Sequence, residues 1–510
     1  MKCNNMKIYL KCLLLAFIVL FIISPDSYTR DLFGHYDSAW FFMAGKAWMN
    51  GLKPYIDFAD SKGPLLWLIY GIGYLISPYN FIGVFWLNVL SYSVVFYYVY
   101  KISFIFIKHE KGSLAVTLLM IASFFYTGFH TEIRSEDWSQ LFVVYTFYRI
   151  CFSLFTEKGA TKKAIRETCF TIGLSLAGTF LIKYNTTIML GIVSSYFIYA
   201  LLRERNNLLV PVLCIICGFV CITFPFYVYM IRNGLFNNFI QEYFTNTIQT
   251  IDSVNNINAY IHEWLYMFTD IKFILFLVIC ITGCIYLSRI VSKHKHFFLF
   301  SFFAFYGIAI HHGNGSDGYF CICLFFPIWA CISIVDKLNT SQLKYTIIIV
   351  LLYTFCSNSF SRGYLSQTWF FIDNQLRRDY YNIAYYMSQK KNPTITYYMC
   401  YDKGHGTPVN SLPGTTYWST QTGATTNMIR SIHQSLERKS ADFIITDSQL
   451  KPINSNDSII KSYGYKPIYR FERGNIKYIF YTKHNLQDPP SDFHVSSMDI
   501  LLKRNIFNLP

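Results

Sequence analysis

Eleven apolar runs restrict the fold of this chain more tightly than any other feature. Ten are clear: Leu10–Ser24, Phe81–Ile107, Leu114–Phe125, Cys169–Ile182, Thr186–Leu202, Leu208–Ile231, Phe273–Leu287, Phe297–Ile310, Tyr319–Val335 and Tyr345–Cys356. The eleventh, Trp138–Phe155, holds Gln140 and Arg149, and Arg149 can snorkel to the nearer interface. A helix rises about 1.5 Å per residue, so about 20 residues cross about 30 Å of hydrocarbon. Several runs reach or approach that length, and flanking polar residues complete the shorter ones. In hydrocarbon only helices or closed barrels satisfy every backbone group, and these runs do not alternate with period two. The sequence predicts an α-helical polytopic membrane protein with about 11 transmembrane helices. Charged residues make up only 14% of the chain, against about 25% in a soluble domain.

Basic residues orient the spans. Lys2, Lys7 and Lys11 precede or open the first run. Lys108 and Lys111, then Lys158, Lys162, Lys163 and Arg166, then Arg203 and Arg205, then Arg289, Lys293 and Lys295, then Lys337 and Lys344 follow at every second connection. Those connections are assigned to the cytoplasm. The alternate ones, Pro25–Lys62, Phe129–Glu136, Lys183–Asn185, Arg232–Asp270 and His311–Gly318, fall outside with everything after Asn358. This is a multi-pass protein of the cell membrane, with its lipid bilayer as first partner. The net charge of +15 is largely the positive-inside signal, so nucleic acid is not expected as a partner. Ser24-Pro25-Asp26 is a poor cleavage site, so the first run is read as a retained span.

Fourteen cysteines form no disulfide framework: twelve lie in predicted spans, Cys3 is cytoplasmic and Cys400 stands alone in the exposed domain. Two domains are expected, 1–360 in the membrane with an outer loop at 25–79, and 361–510 as an extracytoplasmic α/β domain. In the latter, Asn374–Gln389 and Thr426–Arg438 read as helices. Thr394–Tyr401 and Ala441–Thr446 read as strands, and Lys466–Phe471 with Lys477–Thr482 as a hairpin around Gly474-Asn475. In the outer loop, Asp37–Met49 reads as a helix with Trp40, Phe41, Ala44 and Trp48 on one stripe, suited to the headgroup layer. Gly63–Ser77 is a second, short apolar helix that suits the interface or dips partway into the membrane.

The first outer loop gathers Asp31, Asp37, Asp57, Asp60 and Lys62. A carboxylate opening an interfacial helix stays ionised on the helix dipole, so it can accept a proton or hold a cation. A lysine before the next interfacial helix can meet a phosphate at headgroup depth. Together they suit chemistry on a phosphorylated lipid.

This stretch resembles the first extracytoplasmic loop of GT-C fold glycosyltransferases, in the bacterial branch similar to protein O-mannosyltransferases and the lipid A aminoarabinose transferase. That pattern is an acid opening a helix, an aromatic shortly after, Gly-x-x-Pro-Tyr-x-Asp, and Lys-Pro-Pro-Leu or Lys-Gly-Pro-Leu. Here it reads Asp37, Trp40 or Phe41, Gly51-Leu-Lys-Pro54-Tyr55-Ile-Asp57 and Lys62-Gly63-Pro64-Leu65. Ser38 stands where the family carries a further acid. The resemblance implies a retaining or inverting transfer of a sugar from a polyprenyl-phosphate donor to a glycan, lipid or protein acceptor in the cell envelope. It implies Asp37 as catalytic base, acting directly or through a cation, and Lys62 on the donor phosphate. Tyr55, Asp57 and Asp60 would contact substrate. No cofactor is certain; a divalent cation is possible and its ligands are unknown.

The second outer loop reads His130-Thr-Glu132-Ile-Arg134-Ser-Glu136-Asp137-Trp138. Such charge at a membrane edge is expensive without a use. By resemblance the second acidic role goes to Glu136, with Asp137 as the alternative; Asp137 could equally serve a helix start capped by Ser135. Arg134, Lys183, His311 and His312 are further candidates for the donor phosphate, and Lys183 could instead snorkel. The His311-His312 pair before Asp317 could hold a metal, but adjacent histidines favour a polar loop. Two other classes are weighed. One is a transporter or flippase for a lipid-linked sugar, kept alive by Pro211 and Pro225 in one span. The other is a membrane-anchored assembly protein.

Overall fold

The computed structural model describes residues 2–24, 27, 36–126, 133–204, 207–246, 265, 269–311, 317–361, 375–400, 404–418, 426–473, 475–490 and 493. Asp31, His130, Glu132 and His312, and the side chain of His311, lie outside them. The chain divides into two compact units. The first comprises Met1–Ile23, Asn88–Tyr229 and Val254–Arg362; the second comprises Ser24–Leu87, Met230–Ser253 and Gly363–Pro510.

Each of the eleven runs falls on helix. They are α1 (Lys2–Ile23), α4 (Ile82–Ile107), α5 (Glu110–Phe124), α6 (Ser135–Phe155), α7 (Lys162–Phe180), α8 (Tyr184–Arg203) and α9 (Leu209–Arg232), followed by α11 (Ile271–Ile290), α12 (Phe297–His311), a composite run and α14 (Thr340–Ser361). Among the described residues, six of these are long and apolar enough to cross a membrane, among them α1, α4 and α9. Helix α9 runs through Pro211 and Pro225. The composite run departs from expectation. It starts as a 3-10 helix, Asp317–Phe325, and becomes α13 (Ile328–Lys337) only after Pro327. Proline has no N–H to give the preceding turn, so the two pieces do not merge. Helices α7 and α9 cross on glycines: a Cβ on Gly173 or Gly218 would overlap the facing backbone.

Contacts within the first unit join connections that the basic residues assign to one side. Lys11 donates to Glu110 at 3.0 Å, Arg149 to Glu167 at 2.9 Å, and His294 lies 3.5 Å from Glu204. All six residues sit at ends assigned to the cytoplasm. At the opposite ends, Lys183 pairs with Glu136.

The second unit combines α2 (Tyr36–Met49), α3 (Pro64–Ile76), the short α10 (Phe236–Ile240) with a following π-turn, and the C-terminal domain. That domain carries a five-stranded mixed sheet in the order β2-β1-β3-β5-β4. The strands are β1 (Thr394–Tyr397), β2 (Leu412–Pro413), β3 (Phe443–Asp447), β4 (Lys466–Arg473) and β5 (Ile476–Thr482), with β1 parallel to β2 and β3. Strand alternation sends Ile444, Ile479 and Tyr481 to one face. There they pack on Ile432 and Leu436 of α16 (Thr426–Glu437) and Ile460 of α17 (Ile453–Ser462). Phe443 and Phe480 stack at 5.3 Å on the other face, where Tyr386 of α15 (Gln375–Ser388) meets Phe480. The lone domain cysteine, Cys400, is buried rather than exposed.

The two outer-loop helices behave differently. Helix α3 keeps apolar residues exposed at Ile72, Leu75 and Ile76, as an interfacial helix should. The aromatic stripe expected on α2 is largely packed against protein, with Trp48 half-buried. Trp40, Phe41, Phe42 and Met43 are all buried, and the stripe divides: Trp40 packs on Trp418 at 4.8 Å, Phe41 on Tyr70 at 5.6 Å. Neighbours on two sides cover α2, which a single-helix pattern cannot reveal.

Candidate active site

Asp37 lies in the first turn of α2, half-buried, at the positive end of the helix dipole. Phe41 is four residues on, hence on the same face one turn along. The Lys62 amine sits 5.9 Å from the centre of the Phe41 ring. The fold therefore brings Lys62 to the face of α2 that carries Asp37. Three local features hold Lys62 there. Pro64 opens α3 immediately behind it, with Gly63 as the extended N-cap. The loop before it is pinched by Tyr55 N donating to the Phe58 carbonyl at 2.7 Å. The Tyr55 hydroxyl donates to the Lys62 carbonyl at 2.9 Å.

Tyr55 has φ 64°, a left-handed conformation that costs a side-chain-bearing residue roughly 1–2 kcal/mol. Its ring is buried between Trp67 at 4.7 Å and Phe239 at 5.3 Å, contacts that offset this cost. Burial pushes the Tyr55 phenol well above the usual tyrosine range, so it remains a donor. Tyr55 thus serves the backbone of Lys62. Asp57 is exposed and accepts from Lys53 N at 2.7 Å, closing its own turn. Asp60 is half-buried and accepts from Ser61 N at 2.6 Å.

A second arrangement lies in the first unit, at the start of α6. Glu136 is buried, pairs with Lys183, and accepts from Ser135 Oγ at 2.9 Å. Lys183 is the N-cap residue of α8, 47 residues away in sequence. Asp137 is buried as well. One of its oxygens accepts from Arg134 N at 2.8 Å, and the other from Tyr92 OH at 2.7 Å. The helix start is therefore capped differently from expectation: Arg134, not Ser135, is the N-cap, and Asp137 reaches back to its backbone. Among the described residues no group of three His, Cys, Asp or Glu side chains gathers to hold a metal.

Sequence reasoning passed over Lys46. Its side chain is buried within α2, and Nζ donates to the carbonyls of Gly406 at 2.9 Å and Val409 at 2.8 Å. The available signal was a single charge in the apolar stretch Phe41–Met49. Burial draws the Lys46 ammonium down from the usual lysine range to about 7.

No protein-family model matches the chain, and no curated protein matches it in sequence. Among solved structures it is similar to the crystal structure of ArnT from Cupriavidus metallidurans bound to undecaprenyl phosphate. The TM-score is 0.58 at 12% identity, over 93% of this chain and 98% of that one. The apo crystal structure of that ArnT gives 0.48 at 11% identity, over 95% and 98%. This protein has the GT-C fold of the lipid A aminoarabinose transferase, the fold that the first-loop motif implied.

Proposed function

We propose that this protein is a membrane glycosyltransferase that moves a sugar from a polyprenyl-phosphate donor to a glycan, lipid or protein acceptor at the outer face of the cell membrane. The observation that carries the reading is the approach of Lys62 to the Asp37 face of α2. An ionised carboxylate and an ammonium on one side of a helix match the two charges of this transfer. Asp37 takes the proton of the acceptor hydroxyl as its oxygen bonds to the sugar's anomeric carbon. The bond from that carbon to the phosphate oxygen breaks, and polyprenyl phosphate leaves with the electron pair. Lys62 meets the charge that develops on it.

Two further facts support the reading. The ArnT structure with the same fold was crystallised with undecaprenyl phosphate, a ligand of the proposed class. The spacing of the basic residues favours an outer position for the loops and the C-terminal domain of the second unit. In this reading the Glu136–Lys183 pair organises the outer ends of α6 and α8. The test is binding of undecaprenyl phosphate to the purified protein in lipid nanodiscs. Lys62→Met should weaken it about a hundredfold, the equivalent of about 2.7 kcal/mol. Equal binding by the variant would remove Lys62 from the donor site.

A further inference from the structure

The C-terminal domain holds the back of the helix that carries Asp37. Lys46 is nine residues after Asp37, and nine residues at 3.6 per turn place it about half a turn round, on the opposite face. The neighbours of α2 agree with that geometry. Trp40 packs on Trp418, Lys46 donates to the carbonyls of Gly406 and Val409, and Asn50 Oδ1 accepts from Asn410 Nδ2 at 3.3 Å. A Cβ on Gly406 would overlap the end of Met43. Trp40, Met43 and Lys46 of α2 and Asn50 just past its end recur at three- and four-residue steps, and all of them meet the segment 404–418. On α3, Tyr74 OH donates to Asn410 Oδ1 at 2.9 Å and closes the clasp.

We propose that Lys46 is a positioning residue and that, through it, the segment Gly404–Val409 fixes the rotation of α2 and hence the place of the Asp37 carboxylate. This rests on the reading of Asp37 as the base. A helix with its side chains has a radius of about 5–6 Å, so a roll of about 20° moves a side-chain tip by about 2 Å. A displacement of about 1 Å can cost about a hundredfold in rate. Aromatic packing alone resists such a roll weakly, because rings slide. Two hydrogen bonds from one buried amine to two backbone carbonyls have fixed directions and resist it strongly. A neutral amine carries two N–H groups, and two acceptors are present, so its depressed proton affinity fits the arrangement.

The test uses the full-length protein and two readouts. Lys46→Met keeps the length of the side chain and removes both donors. Hydrogen exchange across residues 37–46 should quicken at least tenfold, while exchange in β3 and β5 stays as in the parent protein. The turnover number should fall about thirtyfold or more with the donor KM changed less than threefold. Should Lys46→Met fail to fold, Asn410→Ala, which removes only the outer part of the clasp, should show the same pattern at smaller amplitude. Unchanged exchange in α2, or exchange that quickens throughout the domain, would overturn the proposal. So would quickened α2 exchange with an unchanged turnover number. Exchange is read without any substrate, so a failure of the glycosyltransferase reading shows separately, as a parent protein that transfers no sugar.

Discussion

The two acid–lysine arrangements in this protein are built on opposite plans. In the first unit half-buried Lys183 forms an ion pair with buried Glu136, and Ser135 donates to the same carboxylate. In the second unit the Lys62 amine lies over an aromatic face, on the side of α2 that opens with Asp37. A buried ion pair satisfies its charges on each other, and removing either partner strands the other. A lysine over a ring keeps its charge but gains only about 0.5–2 kcal/mol from the contact. The difference teaches how each lysine is held: Lys183 is tied to the Glu136 carboxylate, and Lys62 lies against an aromatic ring on the side of α2 that opens with Asp37.

Substitutions can break that contrast, and the largest effect is expected at Asp37. Asp37→Asn should lower transfer by about a thousandfold or more, within the range of general base catalysis, with thermal stability unchanged in detergent. Glu136→Gln should act mainly on stability. It leaves the half-buried Lys183 ammonium without its carboxylate, at a cost of about 3 kcal/mol, visible as a lower melting temperature. Adding Lys183→Met should recover much of that loss; a double variant no more stable than Glu136→Gln would show that the pair is not a structural unit. Tyr55→Phe removes one hydrogen bond to the Lys62 carbonyl, worth about 1 kcal/mol, and should raise the donor KM a few fold.

The smallest effect is one of pH. The folded-state proton affinity of Lys46 is depressed to about 7. Between that value and the usual lysine range the unfolded chain binds more protons. Stability should therefore rise with pH above about 7, and the slope should be shallower in Lys46→Met. Equal slopes over pH 7 to 9 would count against a buried, proton-losing amine.

The membrane part of the fold was legible because it follows from one-dimensional quantities, apolar length and the spacing of basic residues. The first-loop motif was legible because Asp37, Tyr55 and Lys62 lie within one connection. Long-range placement was not. The partner of Glu136 is 47 residues away and that of Lys46 is 360 away, and no local pattern encodes either. Helix α17 escaped notice because Asn454-Ser455-Asn456-Asp457-Ser458 reads as a loop. It is helical because Ile460 joins the sheet's core and Asn456 bonds to Thr446 Oγ1 at 2.9 Å. Strand β2 escaped because it is two residues long and exists only by pairing with β1.

The most direct test of the central claim compares surface glycans and glycolipids by mass spectrometry in cells lacking this protein and in the same cells given back the parent or Asp37→Asn chain. A sugar modification should vanish on deletion, return with the parent protein, and stay absent with Asp37→Asn expressed at equal level. An unchanged profile on deletion, or full restoration by Asp37→Asn, would contradict the account.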